Sequence, residues 1–309
     1  MRAHGPSEGR VDLGALRLRG LLSAKSGGSG SQLSNTLPGE GSSDAATSDH
    51  PRALEQASPY RAYLFGSLRL FRDDQQIEVG PRRKGVSILL WFLLNPGRPR
   101  SADEFVDALW PESDREKAIA QFDVNIHSLK RSLEPGLGPR EESSFIRHNA
   151  KRVYSFESAE LWWTDVADVE LLYQRGCAAD RAGATDRARF YYRRIAEYVS
   201  RGTLLQDEGD WADVYRRKYR LICWYALVRL MEFDSAGGLE EELLESSYQM
   251  LRIDKYNPLA NQAVINSLML KGDLRSATKR LEEFREGIQR DHGASLPGEF
   301  VELQDKLIG

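Results

Sequence analysis

The stretch Arg115 to Leu133, REKAIAQFDVNIHSLKRSL, constrains the fold of this chain more than any other. At 3.6 residues per turn, Ala118, Ile119, Phe122, Ile126, Leu129 and Leu133 fall on one side, and Lys117, Gln121, Val124, His127, Ser128 and Arg131 on the other. Pro111 stops whatever precedes it and Pro135-Gly136 ends it, so the pattern predicts a helix from about Asp114 to Leu133. The apolar side must be core. The polar side is either a solvated face or a surface made to meet something, and its neighbours decide which.

Upstream, RAYLFGSLRLFRDD alternates Tyr63, Phe65, Leu68 and Leu70 around Gly66 and is followed by QQIEVG, a pattern of short antiparallel strands with tight turns. Gly85 to Leu94, GVSILLWFLL, has helical length and ends at Asn95-Pro96-Gly97, with Arg82, Arg83 and Lys84 at its approach. Ser101 and Glu104 form an S-x-x-E capping box opening a short helix, Ala102 to Leu109. Downstream, FIRHNAKRVYSFE carries strand-like ends around a basic centre from Arg147 to Arg152, the pattern of a hairpin with a charged tip. Strands, three helices and a closing hairpin describe a winged helix-turn-helix, whose third helix enters the major groove while the hairpin reaches the backbone.

On that reading the polar side of the third helix offers groups suited to DNA. Gln121 and Asn125 are amides able to pair with adenine, Val124 suits a thymine methyl, and Ser128 completes the base-reading set. Lys117 belongs to the same face. Phosphates would be met by Lys130 and Arg131, by Arg82, Arg83 and Lys84, and by Arg147, Lys151 and Arg152 of the wing. Asp123 is unfavourable beside phosphate unless it is angled away or paired with Lys130 or Arg131.

These residues carry a resemblance. The opening Phe-Gly-x-Leu, the Pro-basic-basic run, the Asp-x-Leu-Trp-Pro ending of the second helix, and Ile126 with Leu129-Lys-Arg-x-Leu133 resemble the DNA-binding domain of SARP-type transcriptional activators. GTLLQDEGDWADVYRRKYRLICWYALVRL and ATKRLEEFREGIQRDHGASLPGEFVELQDKLI resemble the bacterial transcriptional activator domain that follows the winged helix in such proteins. The resemblance covers about Tyr60 to the C-terminus. It implies an activator on promoter direct repeats, with double-stranded DNA and RNA polymerase as partners, and it allows a homodimer on DNA.

From Trp162 onward the patterning is helical, with strand signals gone. Helices are expected over Val166–Ala182, Thr185–Ser200, Asp210–Phe233, Leu239–Ile253, Pro258–Lys271, Leu274–Asp291 and Pro297–Ile308. Tyr256-Asn-Pro-Leu, Gly272-Asp and Ala277 have the spacing of a tetratricopeptide-like helical pair. The expected fold is therefore mainly α with a small β component, a winged helix followed by an all-α repeat domain. Its boundaries are a Ser/Gly-rich disordered leader at 1–58, the winged helix at 59–158, and the helical domain at 159–309.

Composition sharpens the partner question. The net charge is −3, but 59–158 carries 16 Lys and Arg against 14 Asp and Glu, while 159–309 carries 21 against 26. DNA contact must then come from local clustering. No apolar run suits a membrane span and no secretory pattern opens the chain, so the cytoplasm is the expected location. Cys177 and Cys223 lie in apolar helical patterns and read as buried thiols. No nucleophile elbow, P-loop, HExxH or dinucleotide fingerprint occurs, so no catalytic residue, cofactor or metal is expected. The residues leave a second reading open: a helical-repeat interaction scaffold whose winged helix no longer binds DNA.

Overall fold

The computed structural model describes residues 55–78, 83–138, 141–157 and 161–308. The expected leader lies outside the described residues except for 55–58, where Glu55 accepts a hydrogen bond from the Tyr63 hydroxyl at 2.6 Å.

Strands β1 (Tyr60–Tyr63) and β2 (Arg69–Arg72) pair antiparallel, Tyr60 opposite Arg72, and β3 (Gln75–Gln76) continues the sheet on β2. Three helices follow: α1 (Arg83–Leu94), α2 (Ala102–Leu109) and α3 (Arg115–Leu133). Between α1 and α2 lies β4 (Arg100–Ser101), which joins β6 (Val153–Phe156) and β5 (Ile146–His148) in a second sheet of order β4-β6-β5. The capping box is formed: Ser101 Oγ accepts from Glu104 N at 3.2 Å, and Glu104 accepts from Ser101 N at 2.8 Å. The Ser101 amide and hydroxyl, both donating to the Glu104 carboxylate, lower its pKa from the ordinary value.

The chain expected to turn wholly helical at Trp162 first adds a strand. Segment β7 (Trp162–Thr164) pairs parallel with β1, Tyr60 opposite Trp162, giving the order β3-β2-β1-β7. Its period-2 signal is hidden because all three residues are buried. Then come α4 (Asp165–Arg181), α5 (Thr185–Arg201), α6 (Asp213–Ala236), α7 (Glu240–Ile253), α8 (Pro258–Leu270), α9 (Leu274–His292) and α10 (Gly298–Ile308). The helix expected from Asp210 begins as a 3-10 turn, Asp210–Ala212, before α6. Successive helices pack as antiparallel pairs, which need small residues at their closest approach. A Cβ on Gly176 would stand 2.6 Å from the Tyr192 ring, and one on Gly287 2.4 Å from the Tyr256 ring. Asn257 caps α8 with Pro258 in its first turn, as the repeat spacing predicts.

Ile88 to Leu93 are buried without a break, so α1 has no solvent face over that run. An all-apolar helix must be covered on both sides. On one side Phe92 meets Phe105 at 5.3 Å and Phe156 at 5.7 Å, and Phe105 stacks on Phe122 of α3 at 5.5 Å. The helical part reaches the same helix: Ser87 donates to Glu208 at 2.6 Å, and Asn95 Nδ2 donates to the Tyr215 hydroxyl at 2.6 Å. One core thus runs from β1 to the start of α8, and a second joins Ile265, Phe284 and Phe300 at the C-terminal end.

The seam between winged helix and helical part is closed by backbone. Gly66 N donates to Thr203 O and Leu205 N to Leu64 O, both at 3.1 Å. Gly66 has φ +77°, and a Cβ there would lie 2.3 Å from the Arg201 carbonyl oxygen. The side chain of Asp165, fully buried at the start of α4, accepts from the amides of Leu64 at 2.8 Å and Phe65 at 3.0 Å. Burial pushes this carboxyl up to about 6 against the pull of those two amides.

Candidate nucleic-acid interface

Helix α3 is capped by Asp114, whose side chain accepts from Lys117 N at 3.1 Å, and its apolar side is buried through Ala118, Phe122, Ile126, Leu129 and Leu133. That packing orients the other side outward. Lys117 and Arg131 are exposed, and Gln121 and Ser128 are half-buried. Val124 is 45% exposed, unusual for a β-branched apolar residue in mid-helix. Val124, His127, Ser128, Arg131 and Ser132 line a shallow depression of about 360 Å³. His127 and Ser132 were not among the expected site residues. His127 was legible, being three residues after Val124 and four before Arg131 on one helix face.

The wing stands beside this helix. Asn149 organises its tip by accepting from Lys151 N at 3.0 Å and Val153 N at 3.1 Å. Arg152 sits in the left-handed region, φ 57°, and its guanidinium pairs with Asp123 of α3. That hydrogen bond is the main reason the Arg152 pKa is raised. Tyr154 packs edge-on against Phe122 at 5.2 Å and carries His148 stacked at 5.4 Å. Arg147 and Lys151 remain exposed on the hairpin.

Some of the expected residues sit elsewhere or meet other partners. Asn125 does not face outward: it is 6% exposed, its Nδ2 donates to Gln121 O at 2.8 Å, and its Oδ1 lies where a Cβ on Gly85 would approach to 3.3 Å. It is a packing residue between α3 and α1. The cause is angular, since Asn125 lies next to Ile126 and three residues after Phe122, both core. Lys130 is half-buried, and desolvation lowers its pKa against the opposing pull of Glu134 and Glu142. Arg83 donates to Asp207 O across the seam, and Lys84 lies 5.8 Å over the Trp110 ring. Arg82 lies outside the described residues. Asp123 is paired by Arg152, and not by Lys130 or Arg131. What the structure brings together is Lys117, Gln121, Val124, Ser128 and Arg131 on α3 beside Lys151 and Arg152 of the wing.

Among the described residues, no helix is long and apolar enough to cross a membrane, and no group of His, Cys, Asp or Glu is placed to hold a metal ion.

A winged helix followed by paired helices, with the third helix and the wing presenting one polar face, defines the class of the molecule. No family model matches the chain. Over 167 residues it is 29% identical to the regulatory protein AfsR of Streptomyces coelicolor, a match taking in 54% of this chain and 16% of that protein. Its fold is similar to that of Mycobacterium tuberculosis EmbR, solved in complex with a low-affinity phosphopeptide, with a TM-score of 0.61 and 17% identity over 81% of this chain and 65% of that one. The chain therefore spans less than two thirds of either relative. The sequence match supports the resemblance to SARP-type regulators, and the structural match shows the same winged-helix and helical architecture.

Proposed function

We propose that the chain is a sequence-specific DNA-binding transcriptional regulator, an activator that occupies direct repeats near a promoter and contacts RNA polymerase. The observation that carries this reading is the outward face of α3, polar except for a solvent-facing Val124 and set beside a basic wing tip by the Arg152–Asp123 pair. A helix laid in a major groove needs that arrangement: a buried stripe to hold it, short side chains toward base edges, and cations at its margins. Lys117, Arg131, Arg147 and Lys151 serve the phosphates, while Gln121, Val124 and Ser128 face the bases. The polymerase contact rests on the SARP-type resemblance and falls to the helical part.

Fluorescence anisotropy of the full chain on duplexes from its own upstream region tests the reading. Salt-dependent binding that weakens about tenfold or more in the Arg131→Ala, Lys151→Ala double variant is the expected result. No binding at low salt, or binding indifferent to both substitutions, would leave the protein-interaction scaffold as the better account.

A further inference from the structure

The helical part is acidic in sum, yet it contains a basic cleft. This hollow of about 590 Å³ opens where the ends of α5 and α7 meet the first turns of α6. Its floor is apolar, formed by Phe65, Leu204 and Tyr219, all 5% exposed or less. Arg216, Arg217, Arg220 and Arg252 stand around it with a single carboxylate, Asp213. Arg216 neutralises Asp213 at 2.8 Å and is otherwise committed to the seam through Leu205 O at 2.6 Å. The other three have no carboxylate partner among the described residues. Arg220 is anchored to Ile253 O at 2.8 Å and Arg252 to Ser200 O at 3.3 Å. By contrast Arg189, Arg193, Arg229 and Arg280, also in the helical part, each meet a carboxylate.

Guanidiniums held by one backbone carbonyl keep donors free and lose little entropy on meeting an anion. The volume lies within the range of about 300–1,000 Å³ typical of small-molecule sites. We propose that this cleft binds a small organic anion, a flat apolar body bearing one phosphate or carboxylate group. The body rests on Phe65, Leu204 and Tyr219, and the anionic group meets Arg217, Arg220 and Arg252. Because Phe65 belongs to the winged helix and Arg252 to α7, an occupant touches both parts of the molecule and ties occupancy to the seam.

The site stands independently of the DNA reading, since its test contains no DNA. Isothermal titration of the full chain with 1-naphthyl phosphate and with 1-naphthoate separates the two anionic groups; inorganic phosphate and 1-naphthol probe each half alone. Saturable binding of at least one aromatic anion is expected, about tenfold or more tighter than either half. It should weaken about tenfold or more in Arg217→Gln with Arg220→Gln. Both side chains are exposed, so the fold survives, which circular dichroism checks. Thr203→Trp, which fills the mouth from an exposed position, should abolish binding. The proposal is overturned if neither aromatic anion saturates below about 10 mM, or if the arginine variant binds as well as the parent. It is equally overturned if a hexaglutamate peptide binds through these arginines while the aromatic anions do not, which would make the cleft a peptide surface.

Discussion

Two surfaces of the winged helix are built in opposite ways. On the outward side of α3, side chains from Lys117 to Arg131 meet solvent, and the main restraint is the Arg152–Asp123 pair, half-exposed on both partners. At the seam, the β1–β2 turn is fastened by two backbone hydrogen bonds, by two amides on a buried carboxylate, and by a glycine backed onto a carbonyl. A surface that must accept another molecule leaves its polar groups unspent. A surface that joins two parts of one molecule spends them internally. Substitutions at the seam should therefore register as stability, and substitutions on α3 as binding.

The largest effect is expected at Gly66. Gly66→Ala meets both a positive φ and a carbonyl at 2.3 Å, so the turn must open, at a cost of roughly 3–5 kcal/mol in urea denaturation. A loss below about 1 kcal/mol would mean that the seam yields easily, breaking the contrast.

Asp165 comes next. Its pKa is raised in the folded state to about 6, from an ordinary 3.8, so the native protein holds that proton more tightly than the unfolded chain. Its stabilising contribution is therefore complete below about pH 4 and is lost as pH rises through about 6, a change of about 3 kcal/mol. Asp165→Asn should remove that part of the slope of stability between pH 4 and 6, while Asp165→Ala, which frees the Leu64 and Phe65 amides, should cost about 2–4 kcal/mol at pH 5. An unchanged slope in the asparagine variant would show that the carboxyl is not the titrating group.

On α3, Arg131→Ala should lower affinity by about 1 kcal/mol on every DNA sequence, reduce the salt slope by about 1, and leave denaturation unchanged. The smallest effect sharpens the boundary between the surfaces. Asn125→Ala should leave base preference unaltered and change stability by about 1 kcal/mol or less, because the buried Oδ1 it removes has no hydrogen-bond partner. Altered base preference in that variant would put Asn125 back on the outward face.

The same contrast explains what was legible in the sequence. The α3 face could be read because a solvated face and a buried stripe alternate with helical period, and the capping box and the Pro/Gly stops marked its borders. Asn125 was misplaced because an amide carries no mark of its direction, and at a position flanking the stripe packing decides. The strand β7 was missed because three buried residues show no alternation. The seam was barely legible. Its bonds join residues about a hundred or more apart, as with Leu64 to Asp165 or Ser87 to Glu208, and no local pattern records a partner at that distance. One trace was visible, the unbroken apolar run GVSILLWFLL, whose meaning was that α1 would be covered from two sides.

That doubly covered helix bears on how the molecule can be taken apart. A chain cut just after β6 would keep α1 but lose β7, Glu208 and Tyr215, baring one long side of an oily rod and the edge of β1. Such a piece invites self-association through the new strand edge and apolar flank. A chimera exchanging readers between related chains would then have to carry everything from β7 through the first turn of α6 at Tyr215 along with the winged helix, making that longer segment, rather than the gap between the two parts, the natural unit of inheritance.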